Sequence, residues 1–204
     1  MAANISFNPA LTTQPQNSFQ LETQGYIQGI TQDDPTSRMW LSAGQVASGV
    51  AQPIWGGMGV TVQVGGVNSN GQSLAQLALA TSSQIQGFTV FDQAINMQII
   101  PGNSVPTVVA GQSAAYYLFG SNARVPVPVA AGAFTGLETA YTNATLYWDT
   151  SAFNLTTTSG SSTVQLPSSV QVLAVDNNSK AVVYTSGTGA VNWDYGQQVA
   201  LIKL

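Results

Sequence analysis

Apolar residues recur along this chain at every second position in short runs, and clusters of Gly, Asn, Ser and Pro separate the runs. Residues 60–64 (VTVQV) and 170–175 (VQVLAV) alternate most cleanly, which turns one face of each toward a core and the other toward water. β-Branched and aromatic residues enrich further short runs at 25–30, 87–92, 97–100, 115–119, 144–148 and 198–204, as strands require. The 170–175 run passes through Asp176-Asn177-Asn178-Ser179-Lys180 into residues 181–185. That pattern reads as a hairpin whose polar turn residues tolerate left-handed backbone. Residues 124–129 (RVPVPV) alternate too, but Pro126 and Pro128 remove ladder donors. The segment is therefore excluded from a central strand and expected at a sheet edge or as an extended connector.

One stretch departs from the alternation. Residues 73–80 (SLAQLALA) combine high helix propensity, a Ser at a capping position and Leu spacings that fit one helical face. They predict one short helix near residues 73–81. Residues 1–20 hold few closely spaced apolar positions and are expected to form an extended N-terminal arm. Residues 21–204 read as one β-rich body. Its Ser/Thr tract at 156–163 marks either a long hairpin loop or a sub-domain break near 156–168. The predicted fold class is all-β, a β-sandwich or a β-barrel-like body, with one short helix and the arm.

Composition changes the picture of the surface. Hydrophobic residues make up an ordinary 44% of the 204, but charged residues only 6%, against roughly 25% in a typical soluble domain. The exterior must be built from Ser, Thr, Asn, Gln and Gly, and such a surface repels neighbouring copies only weakly. The net charge is −4, and the cations are Arg38, Arg124, Lys180 and Lys203, scattered along the chain. Nucleic acid is not an expected partner, because phosphate binding needs clustered Lys and Arg. A membrane is not expected either, since no run approaches the roughly 18 apolar residues of a spanning helix. The first residues carry neither a basic nor an apolar signal-peptide region, so export by a signal peptide is not expected.

Candidate chemistry is thin. Histidine and cysteine are both absent, which removes the usual general base, the commonest transition-metal ligand and any disulfide framework. Asp33-Asp34-Pro35 followed by Arg38 is the densest charge cluster. Two adjacent carboxylates fall short of the roughly six oxygens a hard cation takes, so the expected role is a structural turn with a salt bridge to Arg38. Asp92, Glu138, Asp149, Asp176 and Asp194 offer carboxylates for a glycosidase-like pair, yet no sequence context marks two of them as partners. There is no Ser elbow motif, and the glycine-rich Trp55-Gly56-Gly57-Met58-Gly59 lacks the lysine of a phosphate loop. Asn-x-Ser/Thr triplets at Asn4, Asn143 and Asn154 are expected by chance in so Asn- and Ser-rich a chain. No catalytic residue, metal ligand or cofactor is expected, and the chain is not read as an enzyme.

Several segments, taken in order, carry a resemblance. They are residues 25–29 (GYIQG), 33–38 (DDPTSR), 53–60 (PIWGGMGV), 87–93 (GFTVFDQ), 123–125 (ARV), 147–149 (YWD) and 200–204 (ALIKL). Together they resemble the capsid decoration, or cement, proteins of tailed-bacteriophage heads, and the likeness spans most of the chain from about residue 20 onward. It rests on the order of the segments, none of which is a chemical signature. The resemblance implies a virion structural protein, made in the host bacterial cytoplasm, that sits on the outer capsid surface and stabilises the shell. Its implied partners are the major capsid protein and itself, as a homodimer or homotrimer. Trp40, Ile54, Trp55, Met58 and Arg124, with Met39, are the candidate interface residues where exposed, and ordinary core where not. The competing reading is a tail or surface adhesin, a lectin-like β module binding glycan through Trp148 or Trp193.

Overall fold

The computed structural model describes residues 25–32, 37–65, 75–92, 105–138 and 144–204, and strands dominate them. Five strands close into a barrel: β1 (Ser42–Val46), β2 (Gly59–Gln63), β3 (Gln76–Leu79), β4 (Gly87–Val90) and β5 (Ser113–Leu118). Their order around the barrel is β1-β3-β2-β4-β5, with β1 and β3 parallel and every other pair antiparallel. Closure leaves no free edge in this sheet. Alternation along β5 then serves two cores at once. Ala114 and Tyr116 join the cluster of Val60, Leu77, Trp55 and Met58, while Ala115 and Tyr117 join a second cluster with Phe88, Trp148 and Ile202.

Two three-stranded sheets build that second core. One has the order β10-β11-β6, from β6 (Arg124–Pro128), β10 (Gln171–Thr185) and β11 (Ala190–Lys203). The other has the order β8-β7-β9, from β7 (Tyr147–Asp149), β8 (Asn154–Thr156) and β9 (Thr163–Gln165). In the small sheet Trp148 stands directly opposite Leu155 on one side and Val164 on the other. All three are buried, so one row of side chains crosses the sheet into the core. The Trp148 ring meets Phe88 of the barrel edge-on at 5.0 Å. Gly59 on β2 makes room for it, since a Cβ there would come within 2.7 Å of Trp148 Nε1. The tract at 156–163 runs from β8 to β9, and Leu155, Val164 and Leu166 on its two sides belong to one core cluster.

The all-β class is what the structure has, and among the described residues there is one short α-helix, which is not at 73–81. Residues 76–79 form β3, paired with β2 on one side and β1 on the other, and Ser73 and Leu74 lie outside the described residues. Leu77 and Leu79 flank Ala78, so the segment satisfies a period of two as well as a helical one. Pairing on both sides overrides local propensity. The helix is α1 (Phe134–Glu138), whose Leu137 is buried in the larger core.

A second correction concerns the expected hairpin turn at 176–180. Residues 171–185 are one strand, β10, and the hairpin to β11 closes further on, at 186–189. The Asp-Asn-Asn-Ser segment is instead an irregularity within the strand, with register shifts between Asp176 and Ser179 and again before Ala181. Asp176 Oδ2 accepts hydrogen bonds from Asn178 N at 2.9 Å and from Ser179 Oγ at 2.5 Å. The side chains that read as a turn therefore satisfy the backbone of a bulge. The expected arm at 1–20 and the strand at 97–100 lie outside the described residues.

The Pro-Val-Pro strand β6 is an edge strand, paired on one side to β11. Its other side presents carbonyls only at the prolines, and the segment 25–32 lies along it. Gly29 N donates to Pro126 O at 2.9 Å and Gln32 N to Arg124 O at 3.0 Å. Residues 25–30 are thus not a sheet strand but a strap. The strap also ties to β10 through Gln28 N on Lys180 O and Lys180 N on Tyr26 O, and to the end of β4 through Phe91 N on Gly29 O.

Candidate functional site

The sequence-derived candidates separate by burial. Ile54, Trp55 and Met58 are 0–2% exposed and pack together in the barrel core, so they cannot be interface anchors on the folded chain. Their burial follows from the turn that holds them. Thr89 Oγ1 donates to Trp55 O and accepts from Met58 N, and Thr89 N and O bond Met58 O and Gly57 N. Gly57 adopts φ +81°, and the Phe91 ring occupies the space a side chain would need at Gly56. Trp40 behaves differently. It ends the 3-10 turn Ser37–Trp40 and is 66% exposed, beside Met39 at 85%. Arg38 and Arg124 are exposed as well. Arg38 lines a small cleft of about 250 Å³ with Asp92, Thr31 and Phe91, while Asp33 and Asp34 lie outside the described residues.

Three of the carboxylates offered for a catalytic pair, Asp149, Asp176 and Asp194, are engaged locally. Asp149 Oδ1 accepts from Ser151 N, Ser151 Oγ and Ala152 N at 2.7–3.1 Å. Burial alone would raise its pKa, but the donors from Ser151 and Ala152 outweigh that and hold it below the usual aspartate value. Asp176 caps the β10 bulge, and Asp194 accepts from Tyr195 N and Gln197 Nε2. Among the described residues no group of three or more acidic side chains could hold a metal ion.

The tryptophans proposed for glycan stacking differ in burial. Trp148 is fully buried. Trp193 is half-buried, with Phe91 at 5.6 Å and Lys180 Nζ 4.9 Å from its ring centroid.

A cleft of about 500 Å³ lies elsewhere, where the 150–154 loop, β10 and the Trp55 turn meet. Three aromatic rings converge there: Trp55 and Phe153 at 5.7 Å, Trp55 and Tyr184 at 5.5 Å, Phe153 and Tyr184 at 6.5 Å. Phe153 is set by the Asp149 cap. Its N–H bonds Asp149 O at 2.9 Å and its φ is +54°, a left-handed conformation costly for a side-chain-bearing residue. Gln52, Thr150, Ser151, Asn154, Ser186, Gln197 and Gln198 supply the polar lining, and none of the residues around the cleft carries a charge.

Among the described residues three buried side-chain polar atoms have no hydrogen-bond partner: Gln52 Nε2, Trp55 Nε1 and Asn154 Oδ1. All three residues line this cleft. An unmade bond at a buried polar atom costs about 1–3 kcal/mol, and native proteins tolerate few of them. Sequence reasoning missed this site because its residues come from five separate segments. The exposed Met39–Trp40 pair stands out at the surface, beside further exposed hydrophobics such as Val64 and Val109. No protein-family model, curated protein or solved structure matches the chain.

Proposed function

We propose that this chain is a virion structural protein, a capsid decoration protein that binds the outer surface of a bacteriophage head and stabilises the shell. The observation that carries the reading is the exposed Met39–Trp40 pair, 85% and 66% accessible, on a body almost without charge. Trp is the residue most enriched among binding hot spots, and Met adapts to irregular partner surfaces. Arg38 beside the pair adds a donor for a carboxylate or carbonyl on the partner. The β body offers rigidity, and the Ser-, Thr- and Asn-rich exterior tolerates dense packing of identical copies. The order of the segments that resemble cement proteins supports the same reading. The partners are the major capsid protein and further copies of this chain in a dimer or trimer.

The test is co-sedimentation with expanded, DNA-free heads of the phage that encodes the chain. Wild-type protein is expected in the pellet at a fixed ratio to capsid protein, and Trp40→Ala in the supernatant with its melting temperature unchanged. Wild-type protein that stays monomeric in the supernatant overturns the proposal.

A further inference from the structure

The four cations are far apart in the sequence, yet three of them come to one end of the strap in the fold. Arg124 on β6 stands directly opposite Lys203 on β11. Gln171 of β10 faces Lys203 from the other side, and Gln32 of the strap bridges Arg124. These residues form one row, Gln-Arg-Lys-Gln, across the strap, β6, β11 and β10. Residues directly opposite one another share a face of the sheet, and the inward neighbours Val125 and Ile202 are fully buried. Arg124 and Lys203 therefore lie side by side on the outer face, the first exposed and the second half-buried. Arg38 joins them at this end, lining a small cleft with Thr31, the residue before Gln32.

We propose that this row is a docking surface for an acidic segment of a partner protein. Like charges directly opposite in a sheet are destabilising, and two of the chain's four cations are held in that relation. Among the described residues no ion pair or side-chain hydrogen bond engages Arg38, Arg124 or Lys203. A carboxylate set between Arg124 and Lys203 relieves their repulsion and accepts a charge-assisted hydrogen bond from each. The flanks decide the class of anion. Gln32 and Gln171 extend the row with neutral amides that suit a peptide, and Arg38 is followed by the exposed Met39 and Trp40. Nucleic acid fits poorly, because three cations release few counterions, Asp92 shares the cleft with Arg38, and the chain carries −4. The inference does not rest on the capsid reading, since the row attracts carboxylates whatever larger partner bears them.

The test is a ¹⁵N-NMR titration of the full chain at about 20 mM salt, where exposed charges act over roughly 20 Å. The probe is a short alternating Glu-Gly peptide, raised to about 10 mM to reach weak millimolar binding, with its Gln-Gly counterpart as control. The acidic peptide is expected to shift the Arg124 and Lys203 amide resonances saturably and to lose that effect in about 1 M salt. The Gln-Gly peptide is expected to leave them in place. Arg124→Gln and Lys203→Gln are each expected to weaken the acidic peptide about twofold to fivefold, the worth of one exposed ion pair. Their melting temperatures are expected at or above that of wild type, because each removes a repulsion. Two variants are used so that a folding defect in one leaves the other decisive. Lys180→Gln, whose cation lies over Trp193 and Tyr195, is expected to bind the peptide as wild type does. The proposal is overturned if the acidic peptide moves neither resonance, or if both variants bind it unchanged. It is equally overturned if inorganic phosphate or a short single-stranded DNA saturates the row at lower concentration. Binding seen only in an Asp33→Asn, Asp34→Asn double variant also overturns it, since the chain's own carboxylates then fill the row. None of these outcomes bears on co-sedimentation of the protein with heads, so the two readings fail separately.

Discussion

Gln28 Oε1 accepts the backbone N–H of Val182 at 2.8 Å, joining residues 154 positions apart in the sequence. The same side chain donates through Nε2 to Gly56 O at 3.1 Å, and Gln28 is only 1% exposed. One amide thus fastens the 25–32 strap to the barrel turn and to β10 together. Gln28→Ala leaves a half-buried N–H and a buried carbonyl without partners and is expected to destabilise the fold by about 2–3 kcal/mol. Denaturant unfolding reads this as a lower midpoint at constant slope. A change under about 0.5 kcal/mol would mean that water enters and replaces the amide.

The two tryptophans that precede an aspartate are expected to differ sharply. Trp148→Ala removes a fully buried ring that touches Phe88 and is expected to cost about 3–5 kcal/mol. Trp193→Ala removes a half-buried ring and a cation–π contact from Lys180, for about 1 kcal/mol. Equal losses in thermal unfolding would contradict the burial assigned to them.

The Asp149 cap gives a pH dependence. Its carboxylate is held below the ordinary aspartate pKa by the Ser151 and Ala152 donors, so the folded state favours the ionised form. The resulting stabilisation is complete above the unfolded-state value of about 3.9 and fades as pH falls through the lower folded-state value. Wild type is therefore expected to exceed Asp149→Ala in melting temperature by a constant margin from neutral pH down to about 4, and by a shrinking margin below it. A margin that persists unchanged into strong acid would show that the charge is not what matters.

Asp176 is expected to matter through the β10 bulge. Asp176→Ala withdraws the acceptor used by Asn178 N and Ser179 Oγ and is expected to cost about 1–2 kcal/mol. Hydrogen exchange should quicken at 176–180 before it does at the β10–β11 pairs beyond, and uniform quickening would contradict a local role.

These elements differ in how far the sequence announced them. β2, β4 and β5 follow from their short β-branched and aromatic runs, but their burial does not follow parity. All of β4 is buried, and Thr61 is buried while Val64 is fully exposed. Of the two readings of β6, the edge strand is the one found. β3 was hidden because Leu and Ala favour a helix locally, and only the strands on both sides decide otherwise. The Asp176 segment was hidden for the opposite reason. Its side chains do make the local bonds of a turn, but the chain continues straight. Nothing local distinguishes exposed Trp40 from buried Trp55, whose burial depends on Thr89 and Gln28 arriving from distant segments. The cleft was illegible altogether, since an unpartnered atom exists only once its neighbours are placed.

The prolines of β6 carry a consequence for how two copies of this chain could meet. A strand from a neighbouring molecule that approached this edge would find no amide protons at Pro126 or Pro128, and the strap already holds the carbonyls of Arg124 and Pro126. With charge too sparse to keep crowded molecules apart, this edge is kept from zippering into a continuous intermolecular sheet by two missing hydrogens and by the strap laid along it.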